Sequence, residues 1–302
     1  MKARLGIAPI AWSNDDLPEL GGKTSLQTCL SESRKSGFSG VETGGKFPKS
    51  AVELKRVLSE HNLFLCGGWY SGTLLDKEIE EEKDRVLEQL NLFKALNAPC
   101  LVYGETAGTI QNIRNAPLNT RRKLDKDQFQ SYGKKMTSFA EWCSEQGMPI
   151  SFHHHMGTAI ETERDVDLLM NNSGPALKLL YDAGHMAFSG GDVLAVIEKH
   201  SNRITHVHAK NIRMNVIDGL DRNKESFLDA VLKGAFTVPG DGSLNFNKIV
   251  QKLADKGYEG WFVVEAEQDP DLAPPFKYAC IGQTALSEAL SNAGYTILDN
   301  NE

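Results

Sequence analysis

Eight short apolar runs, separated by longer amphipathic segments, limit what this chain can fold into. The runs are nearly continuous rather than alternating, which is typical of parallel strands that are covered on both faces. They lie at residues 4–9, 39–42, 62–68, 99–103, 148–153, 177–182, 204–208 and 261–265. Because each run is followed by a helical segment, the pattern predicts an α/β fold, a closed (β/α)8 TIM barrel.

The chain has 302 residues, and barrels of this type commonly extend to about 250 residues or more as one domain. No linker, internal repeat or low-complexity tract interrupts the alternation. We therefore expect residues 1–302 to form a single barrel domain. An open doubly wound sheet would show the same alternation, but neither G-x-G-x-x-G nor a P-loop follows the first run.

Helix starts and long connections are also readable. Ser50 with Glu53 and Thr162 with Asp165 have the spacing of capping boxes, so both pairs predict a helix N-terminus. Two long loops are predicted after strands four and seven. A loop that follows a barrel strand lies on the catalytic face, so we expect both loops there, at residues 105–124 and 212–243.

Charge and cysteine content bear on partners and compartment. The formal net charge of −7 argues against nucleic acid or an anionic membrane as a partner. The five cysteines include no C-x-x-C pair, which favours a reducing compartment. The N-terminal apolar run is too short for a signal peptide or a spanning helix. We expect a cytoplasmic protein, and a homo-oligomer is compatible with this composition.

Chemistry-bearing residues gather at the ends of the last four strands. Six of the eight histidines end strands five to seven, and Glu265 and Glu267 end strand eight. These strand ends converge on one cavity in a barrel. A lone histidine there is usually a hydrogen-bonded core residue. Four successive strand ends with such groups instead predict a shared divalent cation, because unpaired burial is costly and imidazole and carboxylate are metal ligands.

Strand alternation separates the histidines by direction. Residues two apart in a strand share a face, so His153 and His155 point one way and His154 the other. His206 and His208 also share a face, and His208, nearer the strand end, is expected to reach the metal.

Several motifs resemble the xylose-isomerase-like barrel superfamily of sugar isomerases, epimerases and dehydratases. They are D-A-G-H at 182–185, H-V-H-A-K-N at 206–211, V-V-E at 263–265 and VPGDGSLNF at 238–246. The segments GIAPIAWSNDD, GGWYSG, HHHMGT and GWFVVEAEQDP resemble, more closely, its inosose dehydratase family. The resemblance implies a metal set of His153, Asp182, His208 and Glu265, binding one divalent ion, Mn²⁺ or Co²⁺.

The resemblance also implies an activity. It predicts a metal-dependent lyase that dehydrates a small polyol ketone, 2-keto-myo-inositol, to a trihydroxycyclohexane dione. The base would be Glu265, His155 or His185, and Lys210 or a histidine would supply the acid. The superfamily's epimerases use two glutamates, of which the strand-five one is His153 here. An isomerase or epimerase stays the alternative, as does a metal-dependent sugar-binding barrel without turnover.

A further set of residues follows strands two, three, four, seven and eight, where a barrel pocket is lined. We predict that these residues bind substrate, although a core, capping or solvated role is the alternative for several of them. They are Glu42, Trp69, Glu105, Asn211, Arg213 and Glu267.

Overall fold

Eight parallel strands close into a barrel in the computed structural model, which describes residues 1–299. The first strand, Lys2–Ile7, pairs with both the second, Gly40–Thr43, and the eighth, Gly260–Val264, and this closes the ring. The predicted TIM barrel and its eight strands are confirmed, with small shifts at the ends. The strands are β1 Lys2–Ile7, β2 Gly40–Thr43, β3 Phe64–Gly72, β4 Leu101–Glu105, β5 Ile150–His153, β6 Lys178–Asp182, β7 Ile204–Ala209 and β8 Gly260–Val264.

Helices cover the outside of the barrel. The longer ones are α1 Leu26–Lys35, α2 Ala51–Glu60, α3 Ile79–Ala95, α4 Lys126–Glu145, α5 Glu163–Asn172, α7 Val193–His200, α10 Phe246–Asp255 and α11 Pro275–Asn292. Three short helices lie between them, α6 Ala183–Phe188, α8 Met214–Asp218 and α9 Phe227–Leu232. Among residues 1–299, no helix combines the length and the hydrophobicity needed to span a membrane.

The main core fills the space between the strands and the surrounding helices. Outward-facing strand residues such as Phe152 and Phe262 pack against the apolar faces of helices, including Phe139 of α4 and Ile249 of α10. A smaller apolar cluster, with Cys66, Trp261 and Val263 among its members, is separate from it.

The two long connections pack against each other on the C-terminal face. The Leu118 amide donates to the Glu225 carbonyl at 2.9 Å, and a separate apolar cluster joins the connections. The predicted long loop over 212–243 is a long connection that contains α8, α9 and a two-stranded ribbon, Asn211–Ile212 with Phe236–Thr237. Helices of five and six residues are too short to show a periodic pattern.

One of the two predicted capping boxes forms. The Thr162 side chain accepts from the Asp165 amide, and the Asp165 side chain accepts from the Thr162 amide. Ser50 is the N-cap residue of α2, but its side chain accepts no hydrogen bond from the helix, so that prediction was wrong. Ser50 is exposed, and water can reach the first amides of α2 instead.

This difference between the two caps gives a stability prediction. Thr162→Ala removes a cap hydrogen bond and should lower the free energy of unfolding by about 1 kcal/mol. Ser50→Ala removes the same kind of side chain without a cap bond and should change it much less. Chemical denaturation of both variants checks this. Equal losses in the two variants would contradict the assignment of the caps.

Candidate active site

Four predicted metal ligands converge at the C-terminal end of the barrel. Strand register places Asp182 of β6 beside His208 of β7. The Asp182 Oδ2 atom lies 3.7 Å from His153 Nε2 and 3.5 Å from His208 Nδ1. Glu265 Oε2 lies 3.9 Å from His208 Nδ1. All four side chains are buried, so their donor atoms face one another within a small volume.

These atoms fit a divalent cation. Within residues 1–299, the buried Asp182 Oδ2 and His208 Nδ1 have no hydrogen-bond partner. Ligands bound to one ion at about 2.0–2.2 Å are about 3–3.6 Å from each other, which is near the spacing found here. Two imidazoles with two carboxylates suit a transition metal such as Mn²⁺ or Co²⁺ better than Mg²⁺. This donor set could therefore hold one ion.

The imidazole ligands are oriented by partners on their other nitrogens. His153 Nδ1 lies 2.6 Å from the His154 carbonyl oxygen, so an N–H there leaves Nε2 facing Asp182. His208 Nε2 lies 3.2 Å from Glu42 Oε1, which leaves Nδ1 facing Asp182 and Glu265. Such outer contacts fix ring orientation at metal sites. They support the alternation argument, because His153 Nε2 faces the Asp182 carboxylate, whereas the His154 ring contacts backbone groups.

Glu42 borders the cavity and also contacts two buried histidines, so its position fits more than a substrate-binding role. It borders the cavity, but its Oε1 also accepts hydrogen bonds from His206 at 2.9 Å and from His208 at 3.2 Å. Burial would raise the pKa of Glu42, but the two imidazoles outweigh it and hold this pKa below its ordinary value. Glu42 therefore stays ionised and orients His208.

The cavity above the four donors has a volume of about 540 Å³. His153, His208 and Glu265 border it from the metal-ligand side. Its walls include Trp69, whose ring stands edge-on to His153 and to His155 at 5.6 Å between ring centroids in each case. His155 and Glu267 also line it, with His155 Nε2 3.6 Å from Glu267 Oε1. The predicted residues Trp69, His155 and Glu267 thus meet the cavity.

Lys210 forms a buried ionic cluster behind this wall. Its Nζ atom lies 2.5 Å from both Glu265 Oε2 and Glu267 Oε2, and 2.7 Å from His185 Nε2. Burial raises the pKa of Glu265, and the Glu267 carboxylate raises it further. The pKa of Glu267 is instead lowered, against burial, by Lys210 and His155. The cluster therefore keeps Glu267 ionised beside His155.

The position of Lys210 depends on a glycine in the neighbouring motif. A Cβ atom on Gly184 would lie 2.4 Å from Lys210 Cγ. The D-A-G-H motif therefore leaves space for the lysine side chain between β7 and α6.

Two of the four predicted catalytic residues do not reach the cavity. His185 and Lys210 are fully buried and do not line it. The His185 ring instead packs against His155, with ring centroids 4.2 Å apart, and contacts Lys210. Both side chains fold into the wall, where they contact Glu265, Glu267 and His155, and their catalytic role stays a prediction.

Three predicted substrate-binding residues have structural roles instead. Glu105 accepts hydrogen bonds from the backbone amides of Leu75 and Ala107, behind β4. Asn211 bonds the backbone of residues 212 and 244. Arg213 bonds the carbonyls of residues 234 and 236 and the Asp241 carboxylate. None of the three lines the cavity, because protein groups already occupy their polar atoms, and substrate binding by these residues stays a prediction.

The structure also places residues in the cavity that the sequence argument omitted. The loop after β1 contributes Ser13, Asp15 and Asp16, and the loop after β4 contributes Thr109 and Gln111. A signal existed, since polar groups after the first and fourth strands obey the strand-end rule used for strands five to eight.

Comparison with known proteins identifies the same class of protein as the barrel and its strand-end histidines and carboxylates do. The family model described as the xylose isomerase-like TIM barrel matches residues 30–284. Among solved structures, the IOLI protein with a bound zinc atom is similar with a TM-score of 0.66 at 14% identity, over 96% of this chain and 97% of that one. At such identity the likeness concerns the fold.

Curated relatives narrow the class. The rhizopine catabolism protein MocC of Rhizobium meliloti is 45% identical over 98% of this chain and 91% of its own length. The inosose dehydratase of Bacillus cereus (strain AH820) is 41% identical over 94% of this chain and 96% of its own length. The chain belongs to the inosose dehydratase family of xylose isomerase-like TIM barrels.

The ligand geometry predicts which variants lose metal. Asp182→Ala and His208→Ala each remove a central donor, so the purified variants should lose most of the roughly one divalent ion expected per chain. His153→Ala should weaken binding more than His154→Ala, which is the matched control from the same strand end. Elemental mass spectrometry after dialysis measures occupancy, and thermal unfolding shows whether each variant is folded. Full occupancy in Asp182→Ala and His208→Ala would overturn the site.

Proposed function

We propose that the protein is a metal-dependent hydro-lyase that removes water from 2-keto-myo-inositol and yields a trihydroxycyclohexane dione. The observation that carries the proposal is the convergence of His153, Asp182, His208 and Glu265 below a polar cavity. Membership of the inosose dehydratase family supports the reaction and the polyol ketone as substrate. The compartment we propose is the cytoplasm.

The four donors would hold Mn²⁺ or Co²⁺, because these ions accept mixed imidazole and carboxylate ligation. When bound, such an ion supplies positive charge that stabilises the negative charge developing on the ketone oxygen. The surroundings of the two imidazole donors keep them able to bind such an ion. His153 burial lowers its imidazole pKa, which keeps a lone pair free, and Glu42 orients His208.

We assign proton transfer to the two predicted catalytic residues that border the cavity. Glu265 takes the proton from the carbon next to the ketone, and the electrons of that C–H bond form a carbon–carbon double bond. The hydroxyl on the following carbon leaves with its bonding electrons and takes a proton from His155, so it departs as water. The resulting enol becomes the dione. Positioned acids and bases of this kind contribute about 10²–10⁴-fold each.

His155 is suited to the acid role by its surroundings. Its Nδ1 atom lies 3.0 Å from the Met156 carbonyl oxygen, which fixes the ring. Its Nε2 atom faces the ionised Glu267 at 3.6 Å. Histidine is the side chain that most often serves as a general acid, and these two contacts hold the His155 ring at the cavity wall.

An isomerase or epimerase is the competing function of this barrel. An epimerase needs proton-transfer groups on both faces of one carbon. The strand-five position that would supply the second carboxylate holds His153, whose Nε2 faces Asp182. This arrangement favours elimination over epimerisation.

Product analysis tests the reaction class. The Mn²⁺-loaded enzyme should convert 2-keto-myo-inositol into a compound lighter by one water, with new ultraviolet absorbance. His155→Ala should lower kcat by about 10²-fold or more. His61→Ala should not, because His61 bonds Gln27 and does not line the cavity. Mass spectrometry with stopped time points measures both. A product with the mass of the substrate would support the isomerase.

Hydrogen exchange tests the single base. With Glu265 as the one base, a returning proton is delivered to the face it left. Substrate recovered from a partial reaction in deuterium oxide should carry label at the α carbon with unchanged configuration, wherever the step is reversible. Nuclear magnetic resonance of the recovered material measures this. A mixture of α epimers would show that two groups flank the carbon.

A further inference from the structure

Asp16 is a carboxylate in the cavity wall that the proposed reaction leaves without a role. It follows β1 in a loop that is fixed by the buried Asn14, whose Oδ1 accepts from the Asp16 amide at 2.9 Å and from the Leu17 amide at 3.0 Å. The loop therefore holds the side chain of Asp16 at the cavity. Its Oδ2 atom accepts a hydrogen bond from Gln111 Nε2 at 3.3 Å.

The charged groups around Asp16 are one imidazole and two carboxylates. Among residues 1–299, it forms no ion pair with a lysine or an arginine, and the charged groups that influence it most are His155 and Glu267, with Asp15 beside it. Burial raises the pKa of Asp16. Asp16 is half-buried. A carboxylate that loses part of its water is costly unless O–H or N–H groups donate to it, and one amide of Gln111 satisfies only part of its accepting capacity.

The rest of the cavity lining limits what can donate to Asp16. In the part of the chain that the structure describes, the lining includes five carboxylates and no lysine or arginine. The carboxylates are Asp15, Asp16, Glu42, Glu265 and Glu267. Such a lining repels an anionic substrate such as a sugar phosphate, and away from the metal ligands it offers no lysine or arginine to pair with a phosphate group. A neutral polyol brings only hydroxyl groups, each of which can donate to a carboxylate.

We propose that Asp16 and Gln111 recognise the hydroxyl groups on the edge of the substrate ring that lies away from the metal ligands. Asp16 accepts from a hydroxyl, and Gln111 supplies both an acceptor and a donor to its neighbour. The pair selects neutral polyols by hydrogen bonds that are complete only when those hydroxyls are present. This proposal rests on the proposed function for the identity of the substrate.

The two loops that carry this pair are also joined outside the cavity. Glu19 and Arg114 form an exposed ion pair at 3.0 Å between the same two loops. Glu19→Gln therefore removes a link between the loops without touching the cavity, and it is the matched control for Asp16→Ala and Gln111→Ala.

Steady-state kinetics with 2-keto-myo-inositol tests the pair. A lost hydrogen bond to a charged group corresponds to about 10-fold or more in affinity, so Asp16→Ala should raise KM by that factor and change kcat by less than about threefold. Gln111→Ala should raise KM less, Asp16→Asn should recover part of the loss, and Glu19→Gln should leave both constants unchanged. With an analogue that lacks the distal hydroxyls, Asp16→Ala and the unmodified enzyme should have similar KM values.

A binding measurement separates this proposal from the proposed function. Calorimetric titration of the metal-loaded protein with unreactive myo-inositol should show binding that Asp16→Ala weakens by a similar factor, even if 2-keto-myo-inositol is not turned over. Equal binding by Asp16→Ala, judged folded by thermal unfolding, would overturn the proposal. So would a collapse of kcat at unchanged KM, because Asp16 would then be a proton donor rather than a recognition residue.

Discussion

The ion cluster around Lys210 is the interaction on which the rest of the site depends. Glu265 and Glu267 are both buried, and two carboxylates so close repel each other strongly where the dielectric constant is low. Lys210 lies within 2.5 Å of an oxygen of each and offsets that repulsion. Removing one partner of such a cluster leaves an uncompensated buried charge, which is strongly destabilising. The lysine therefore lets one strand end present two acidic groups to a single cavity.

The motif D-A-G-H shows how few residues prepare this arrangement. One oxygen of Asp182 accepts from the His185 amide at 2.8 Å and caps α6, so its other oxygen must face His153 and His208. Gly184 leaves space for the Lys210 stem, and His185 then contacts its ammonium group. The four residues of this motif thus cap a helix, leave space for Lys210 and orient the Asp182 carboxylate at the same time.

Each sequence pattern predicted only the part of the fold or the site that it measures. Apolar runs report burial, so the eight strands and the convergence of histidines and carboxylates at the ends of strands five to eight followed from the sequence. The resemblance implied His153, Asp182, His208 and Glu265 among them. The two-residue alternation of a strand does not predict where a side chain points once the strand has ended. Lys210 was therefore expected in the cavity, although its stem folds behind the wall. Asp16 and Gln111 lie on irregular loops, and their approach at 3.3 Å depends on tertiary packing that no local pattern shows.

The charge of the cavity connects the metal, the substrate and the fold. A lining with five carboxylates and no lysine or arginine, in the part of the chain that is described, carries an excess of negative charge. Lys210 compensates this charge from behind at Glu265 and Glu267, but it does not reach the cavity itself.

A divalent ion on the four donors would offset much of the remainder and would do so where charge develops on the substrate. The same excess that favours a cation disfavours an anion, so the ligand compatible with both the ion and the walls is neutral and rich in hydroxyl groups. Metal binding and substrate selection thus arise from one electrostatic condition at the end of the barrel.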